Sequence, residues 1–259
     1  MPAQPKYRFY ATILDAYSNY VNSDVVWARY WQWSENPPHT PEEFHKMQFD
    51  QLIDRINRVP FESEAASKGT AFNEVVDCMV MNRKSSFADI SKVYRDNDPA
   101  TKEVIGVKAT LDGFDFTFDI NLCREFACYF RGAVPQLFVS ATLPTAFGDV
   151  ELYGYIDELM PFSVHDIKTT GSYRMGKFKD HWQHHVYMYC LHQGGSTLDT
   201  IEYNVAEIDR YGRWKTFTES YNYRHRQSVE LLTAHCEDFI KFLQENRGLI
   251  IDKKIIAQP

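Results

Sequence analysis

Five residues stand in an order suited to chemistry on a phosphate: Asp157, Asp166, Lys168, Gln183 and Tyr187. They fall within GYIDELMPFSVHDIKTTGSYRMGKFKDHWQHHVY, residues 154–187. The stretch reads as a strand ending in Asp157, a tight turn, and a second strand carrying Asp166, Ile167 and Lys168. A basic loop follows, then a helix presenting Gln183 and Tyr187. Side chains two apart on a strand share a face. Asp166 and Lys168 therefore point the same way, and Ile167 points to the other face. If the two strands form an antiparallel hairpin, two carboxylates and one lysine converge. Hard oxygen ligands suit Mg²⁺ or Mn²⁺, and a lysine beside them can steady or help deprotonate an attacking water. That set equips a site for metal-assisted phosphodiester hydrolysis.

The elements that would position these groups can be read around them. Residues 7–33 are rich in aromatics and read as helical. SENPPH, residues 34–39, is a break. Thr40, Pro41 and Glu43 form a helix start, with Thr40 as N-cap, Pro41 at the first position and Glu43 closing a capping box. Phe44, Met47, Leu52, Ile53 and Ile56 follow near the 3.6 period, Phe49 falls at the stripe's edge, and Pro60 ends the helix. Residues 62–81 form the next helix, with Phe72, Val75, Val76, Met79 and Val80 inward. Residues 83–112 are polar, with a loop at RDNDPATKE. Strands are expected at 114–120, 136–143, 149–157 and 163–170, and helices at 121–132 and 179–192. Trp182, Val186, Tyr189 and Cys190 should face the core, with Gln183 and Tyr187 sharing an adjacent face. A hairpin over 198–223 and a helix over 226–246 close the chain.

The run G-Y-I-D, then D-I-K, then Q-x-x-x-Y resembles the PD-(D/E)XK nuclease superfamily, in its RecB-like and phage exonuclease branch. The resemblance implies an α/β fold with a restriction-endonuclease-like core: a central mixed sheet flanked by helices, here with a helical N-terminal portion. One domain would span 1–259, with 1–60 the helical portion, 62–192 the catalytic core and 198–259 the hairpin and closing helix. The implied activity is Mg²⁺-dependent DNA hydrolysis, by an exonuclease in recombination, repair or phage DNA processing. By position, Asp157, Asp166 and the main-chain carbonyl of Ile167 would hold metal, and Lys168 would act on water. Gln183 and Tyr187 would place the phosphate or the water. Lys68-Gly69-Thr70-Ala71-Phe72-Asn73-Glu74 resembles the family's first motif, with Asn73 where a metal-binding histidine stands. Residues 73 and 74 of a helix lie about 100° apart, so one of them faces the metal. The buried stripe favours Asn73, and Glu74 stays open as its rival. Arg174, Lys177 and Lys179, with His181, His184 and His185 nearby, would meet DNA. No cysteine group has the spacing of the iron–sulfur cluster found in some relatives.

Composition sets bounds on these expectations. With 259 residues, 44% hydrophobic and 15% aromatic, the chain can bury a substantial core. A net charge of −7 argues against a general polyanion binder, though a nuclease needs only a local basic groove. Five scattered cysteines fit reduced, buried thiols. No apolar run has membrane-span length and the N-terminus lacks a signal-peptide core, so no membrane partner and a cytoplasmic setting (host cytoplasm if phage-encoded) are expected. His181 and His185 have the spacing of a zinc helix, but Trp182 stands where H-E-x-x-H needs glutamate. No glycine set forms a phosphate-binding loop, and neither Ser140 nor Ser172 sits in a nucleophile elbow. A catalytically inert nuclease-like protein that binds DNA ends or a partner protein stays open. So do an RNA substrate, a homo-oligomer and a recombination partner.

Overall fold

The computed structural model describes residues 5–256. In chain order its elements are β1 (Tyr7–Tyr10), α1 (Ala11–Val21), α2 (Ser23–Trp31), α3 (Pro41–Ile56) and α4 (Glu64–Val80). Then come β2 (Asp89–Tyr94), β3 (Val104–Leu111), β4 (Phe114–Asp119), α5 (Ile120–Tyr129), β5 (Val134–Leu143), β6 (Val150–Leu159) and β7 (Val164–Thr170). The chain ends with α6 (Gln183–Gln193), β8 (Thr200–Ile208), β9 (Trp214–Asn222) and α7 (His225–Glu245), apart from short 3₁₀ turns.

The fold is α/β, with a mixed six-stranded central sheet flanked by helices. β6 is its hub. Along one edge it pairs antiparallel with β5 over nearly its whole length. On the other edge it pairs first with β1, in parallel from Tyr7↔Val150 to Tyr10↔Tyr153. Near its end it pairs with β7, antiparallel and only through Glu158↔His165 and Leu159↔Val164. β7 then runs on beside β8 in parallel, and β9 completes the sheet. β6 and β7 thus fork just where Asp157 and Asp166 stand.

Two apolar clusters hold the layers. Phe9, Leu14, Leu152, Ile156, Val164, Val186, Phe239 and Ile240 join α1, α6 and α7 to one side of the sheet. Phe72, Val75, Val76, Phe118, Leu122 and Ile167 join α4, α5 and the small sheet β2–β3–β4 to the other. Val164 and Ile167, of opposite parity on β7, enter opposite clusters, as strand alternation requires. α3 opens with the expected capping box: Thr40 Oγ1 accepts from Glu43 N–H at 3.2 Å and Glu43 Oε2 accepts from Thr40 N–H at 2.9 Å.

Several local expectations need correction. Residues 7–10 are a strand, not part of a helix; Tyr7 and Phe9 are buried while Arg8 and Tyr10 are half-buried, which is the period-two pattern of a strand. Residues 83–112 contain β2 and β3, and β2 is so exposed that no alternation was legible in it. β6 continues two residues past Asp157. α3 stops at Ile56, capped at Asn57, before Pro60 is reached. α6 begins at Gln183, not at 179. The five cysteines are free, but Cys128 is exposed, so the thiols are not all buried. No helix among the described residues is long and apolar enough to cross a membrane.

Candidate active site

The fork between β6 and β7 leaves the Ile167 N–H without a strand partner on the β6 side. Asp157 takes that place: its Oδ2 accepts from Ile167 N–H at 2.8 Å. The carboxylate therefore spans the split, next to Asp166 on the other prong. Burial pushes the Asp157 carboxyl up to about 7; the Asp166 charge adds to this, while Lys168 and the Ile167 N–H oppose it.

On the α6 side the groups form one hydrogen-bonded set. Lys168 Nζ lies 2.7 Å from Asp166 Oδ2 as an ion pair and donates to Gln183 Oε1 at 2.7 Å. Gln183 Nε2 donates to Asp166 Oδ1 at 2.9 Å and to the Tyr187 hydroxyl oxygen at 3.3 Å. One amide thus fixes both the acid and the lysine. Burial works against the Lys168 charge, but Asp166 and Asp157 outweigh it, so its pKa stands above the ordinary lysine value. Asp166 Oδ2 accepts no well-aligned hydrogen bond, despite its closeness to the ammonium. The glycine of G-Y-I-D has a steric reason: a Cβ at Gly154 would stand 2.5 Å from Tyr187 Cε1. α6 is aimed by α1, because Asp15 Oδ1 accepts from Trp182 N–H at 2.7 Å. The Trp182 ring stacks on His235 at 4.0 Å between centroids, 6° from parallel.

On the α4 side Asp157 shares a cleft with Thr70, Asn73, Glu74, Asp77, Arg83 and Gln136. Asn73 Oδ1 is enclosed there without a hydrogen-bond partner. Glu74 is occupied: Arg83 donates to its two oxygens at 2.7 and 2.8 Å, and the Cys78 thiol adds a third contact. Behind them Asp77 and Glu158 are almost fully buried carboxyl groups. Burial, reinforced by Asp77, pushes Glu158 up to about 9. Gln136 is a local irregularity in β5. Pro135 pairs with Glu158 and Leu137 with Ile156 in one unbroken register, so Gln136 stands opposite Asp157 without a ladder pairing, and its φ is +52°.

The basic loop is less open than its charge suggests. Lys177 Nζ donates to Thr170 Oγ1 at 2.6 Å and to the Ser172 carbonyl at 3.0 Å. Glu219, from β9, accepts from the Tyr173 hydroxyl at 2.7 Å and from Gly176 N–H at 2.6 Å, and so sets the loop's course. Arg174 and Lys179 are exposed. His184 and His185 are half-buried. They bond Tyr203 and Ser228, and burial pushes their pKa values down to about 3 and about 4, so both rings are neutral. Asp15, Asp77, Gln136 and Glu219 went unnoticed in the sequence, because each owes its place to a partner more than 40 residues away or to an irregular pairing. Among the described residues, no group of three or more His, Cys, Asp or Glu side chains is arranged to hold a metal ion.

No family model and no curated protein matches this chain. Among solved structures it is similar to the crystal structure of SSO0001, at 15% identity and a TM-score of 0.34, over 49% of this chain and 58% of that one. The match thus spans little more than half the length of that protein, and a likeness of this degree carries no inference for the fold or the site.

Proposed function

We propose that this chain is a Mg²⁺- or Mn²⁺-dependent nuclease hydrolysing DNA phosphodiester bonds. In this reading it has a restriction-endonuclease-like core and acts as an exonuclease in recombination, repair or phage DNA processing. The observation that carries the reading is the convergence of Asp157, Asp166, Lys168 and Gln183 at the strand fork. Asp157, Asp166, the Ile167 carbonyl and the Asn73 amide would hold the ion. The residues fit it: Asn73 Oδ1 is an enclosed oxygen with no partner, and Asp157 is driven toward its neutral form by burial and by Asp166. Glu74 is already held by Arg83, so Asn73 is the helix ligand in this reading. A metal bound there supplies Lewis-acid polarisation of the phosphate and neutralises charge on the leaving oxygen.

The chain's own groups then divide the work. Lys168 stays an ammonium at neutral pH, so it orients water and offsets negative charge instead of accepting a proton. Gln183 positions Lys168 and Asp166, and Tyr187 buttresses Gln183. Arg174 and Lys179 would meet the DNA backbone, with Lys177 as their anchor. Labelled linear DNA should be lost with Mg²⁺ or Mn²⁺ and spared in EDTA. Asp157→Asn and Asp166→Asn should each remove most of that activity with melting curves still cooperative. Near wild-type cleavage by either variant would sink the assignment. One observation favours the alternative of an inert DNA-binding protein: Lys168 already neutralises Asp166 at 2.7 Å. DNA bound but left intact in both metals would select it.

A further inference from the structure

The strand that carries Asp157 also carries Tyr153 and Tyr155, and residues of one parity on a strand share a face. Across the register, Tyr10 of β1 pairs with Tyr153, and Phe138 of β5 pairs with Tyr155. The rings follow one another over three strands. Centroids are 5.8 Å apart for Tyr10 and Tyr153, 6.4 Å for Tyr153 and Phe138, and 5.2 Å for Phe138 and Tyr155. The last two rings are not core: Tyr155 is 56% exposed and Phe138 46%. The Arg8 guanidinium lies 5.1 Å over the Tyr153 ring and is held by Glu151, Nε to Oε2 at 2.7 Å. Beyond Tyr10 the surface dips into a hollow lined by Arg55 and Arg58. Arg58 is committed to Asp252 at 2.8 Å, whereas Arg55 is exposed. A row of aromatic rings with arginine at one end therefore leads to the candidate catalytic aspartate at the other.

We infer that this face of β1, β6 and β5 is a binding track for single-stranded nucleic acid. Bases stack on Phe138 and Tyr155, and Arg55 meets the phosphates. Stacking on rings beside a cationic groove is how proteins hold single strands regardless of sequence. A duplex hides its base faces and cannot use such rings, so the track selects a strand or a frayed end. What points to a nucleic acid is the direction of the row: the exposed rings lead from Arg55 at one end to Asp157, two residues along the strand from Tyr155, at the other. The inference rests on the nuclease reading for the meaning of Asp157, but its test does not require cleavage.

Fluorescence anisotropy of a labelled 20-nucleotide DNA strand in EDTA measures binding by the full chain without hydrolysis. Phe138→Ala with Tyr155→Ala should weaken binding at least about 10-fold, since each stacked base contributes ~1–3 kcal/mol. Because both side chains are exposed, the melting temperature should hold, and Tyr155→Phe should bind like the wild type. Arg55→Ala should weaken binding and flatten its salt dependence. A blunt duplex of the same length should bind more weakly and ignore the aromatic pair. An RNA strand of the same sequence, run in parallel, distinguishes the two sources of single strands. Wild-type single-strand binding that the double variant leaves unchanged would overturn the track. So would the absence of any binding, or a wild-type dimer that the double variant converts to monomer. Loss of binding in the double variant, with no wild-type cleavage in Mg²⁺ or Mn²⁺, would keep the track and remove the nuclease reading.

Discussion

At the scale of single residues, the site depends on who satisfies whom. Gln183 binds Lys168 through its oxygen and Asp166 through its nitrogen, so neither can rotate without breaking a hydrogen bond to the amide. Lys168→Ala should therefore lower turnover by about 10²–10³-fold at saturating metal, the cost of losing one donor to developing charge. Calorimetry should find Mn²⁺ binding largely intact; a collapse in affinity with normal saturated turnover would contradict the role. The helix pair makes a second test. Asn73→Ala should cost cleavage and little stability. Glu74→Ala leaves Arg83 without its bidentate partner and should cost about 1.5–3 kcal/mol in denaturant melts. The reverse pattern would make Glu74 the ligand and Asn73 the structural residue.

At the scale of elements, the site is made by irregularities in the sheet. β6 and β7 separate after two paired residues each, and Asp157 fills the gap with a side chain. On the other edge the unpaired Gln136 faces the same point with a left-handed φ, which a non-glycine residue adopts at a cost of about 1–2 kcal/mol. Its amide lines the cleft with Asp157 and Asn73. Gln136→Gly should raise the urea midpoint, by about 1 kcal/mol in stability, because glycine accepts that φ freely. A midpoint that falls would show that the Gln136 side chain holds this conformation more firmly than its backbone resists it. β1 shows how an element can serve two ends. It extends the sheet beside β6, and it delivers α1, whose Asp15 caps the helix that carries Gln183.

At the scale of the whole molecule, α6 crosses the sheet with two neutral histidines inside. The His184 and His185 rings stand 4.2 Å apart, and Tyr221 stacks on His184 at 5.4 Å. His184 bonds Tyr203 and His185 bonds Ser228, and no carboxylate pairs with either among the described residues. Their folded pKa values, about 3 and about 4, lie below the ordinary 6.5. The sign follows. Above pH 6.5 both states are neutral and the stability is fully present. As pH falls, the unfolded chain takes up protons that the folded one refuses, at about 1.4 kcal/mol per pH unit for each ring. Stability should drop steadily between pH 6.5 and about 4, and His185→Gln should flatten that limb in melts taken across the range. An unchanged slope would mean that other groups set the acid limb.

What depends on near neighbours could be read from the order of residues. Thr40 and Glu43 cap α3 by contacts three residues apart, and the stripe through Phe72, Val75 and Val76 fixes the rotation of α4. Asp166 and Lys168 share a face because strand parity is a property of the backbone alone. Which edges paired and which polar groups found partners depended on the folded chain as a whole. YRFY became a strand because β6 offered it a parallel edge and a core for Tyr7 and Phe9. Gln136 was left unpaired opposite Asp157 by a left-handed backbone turn within an unbroken register. Arg83 claimed Glu74 across a turn, Asp15 reached α6 from 167 residues away, and Glu219 gathered the loop that holds Lys177. Such choices depend on burial and on satisfying hydrogen bonds between distant segments. Local periodicity records which face of an element is apolar; it does not record what will stand opposite that face.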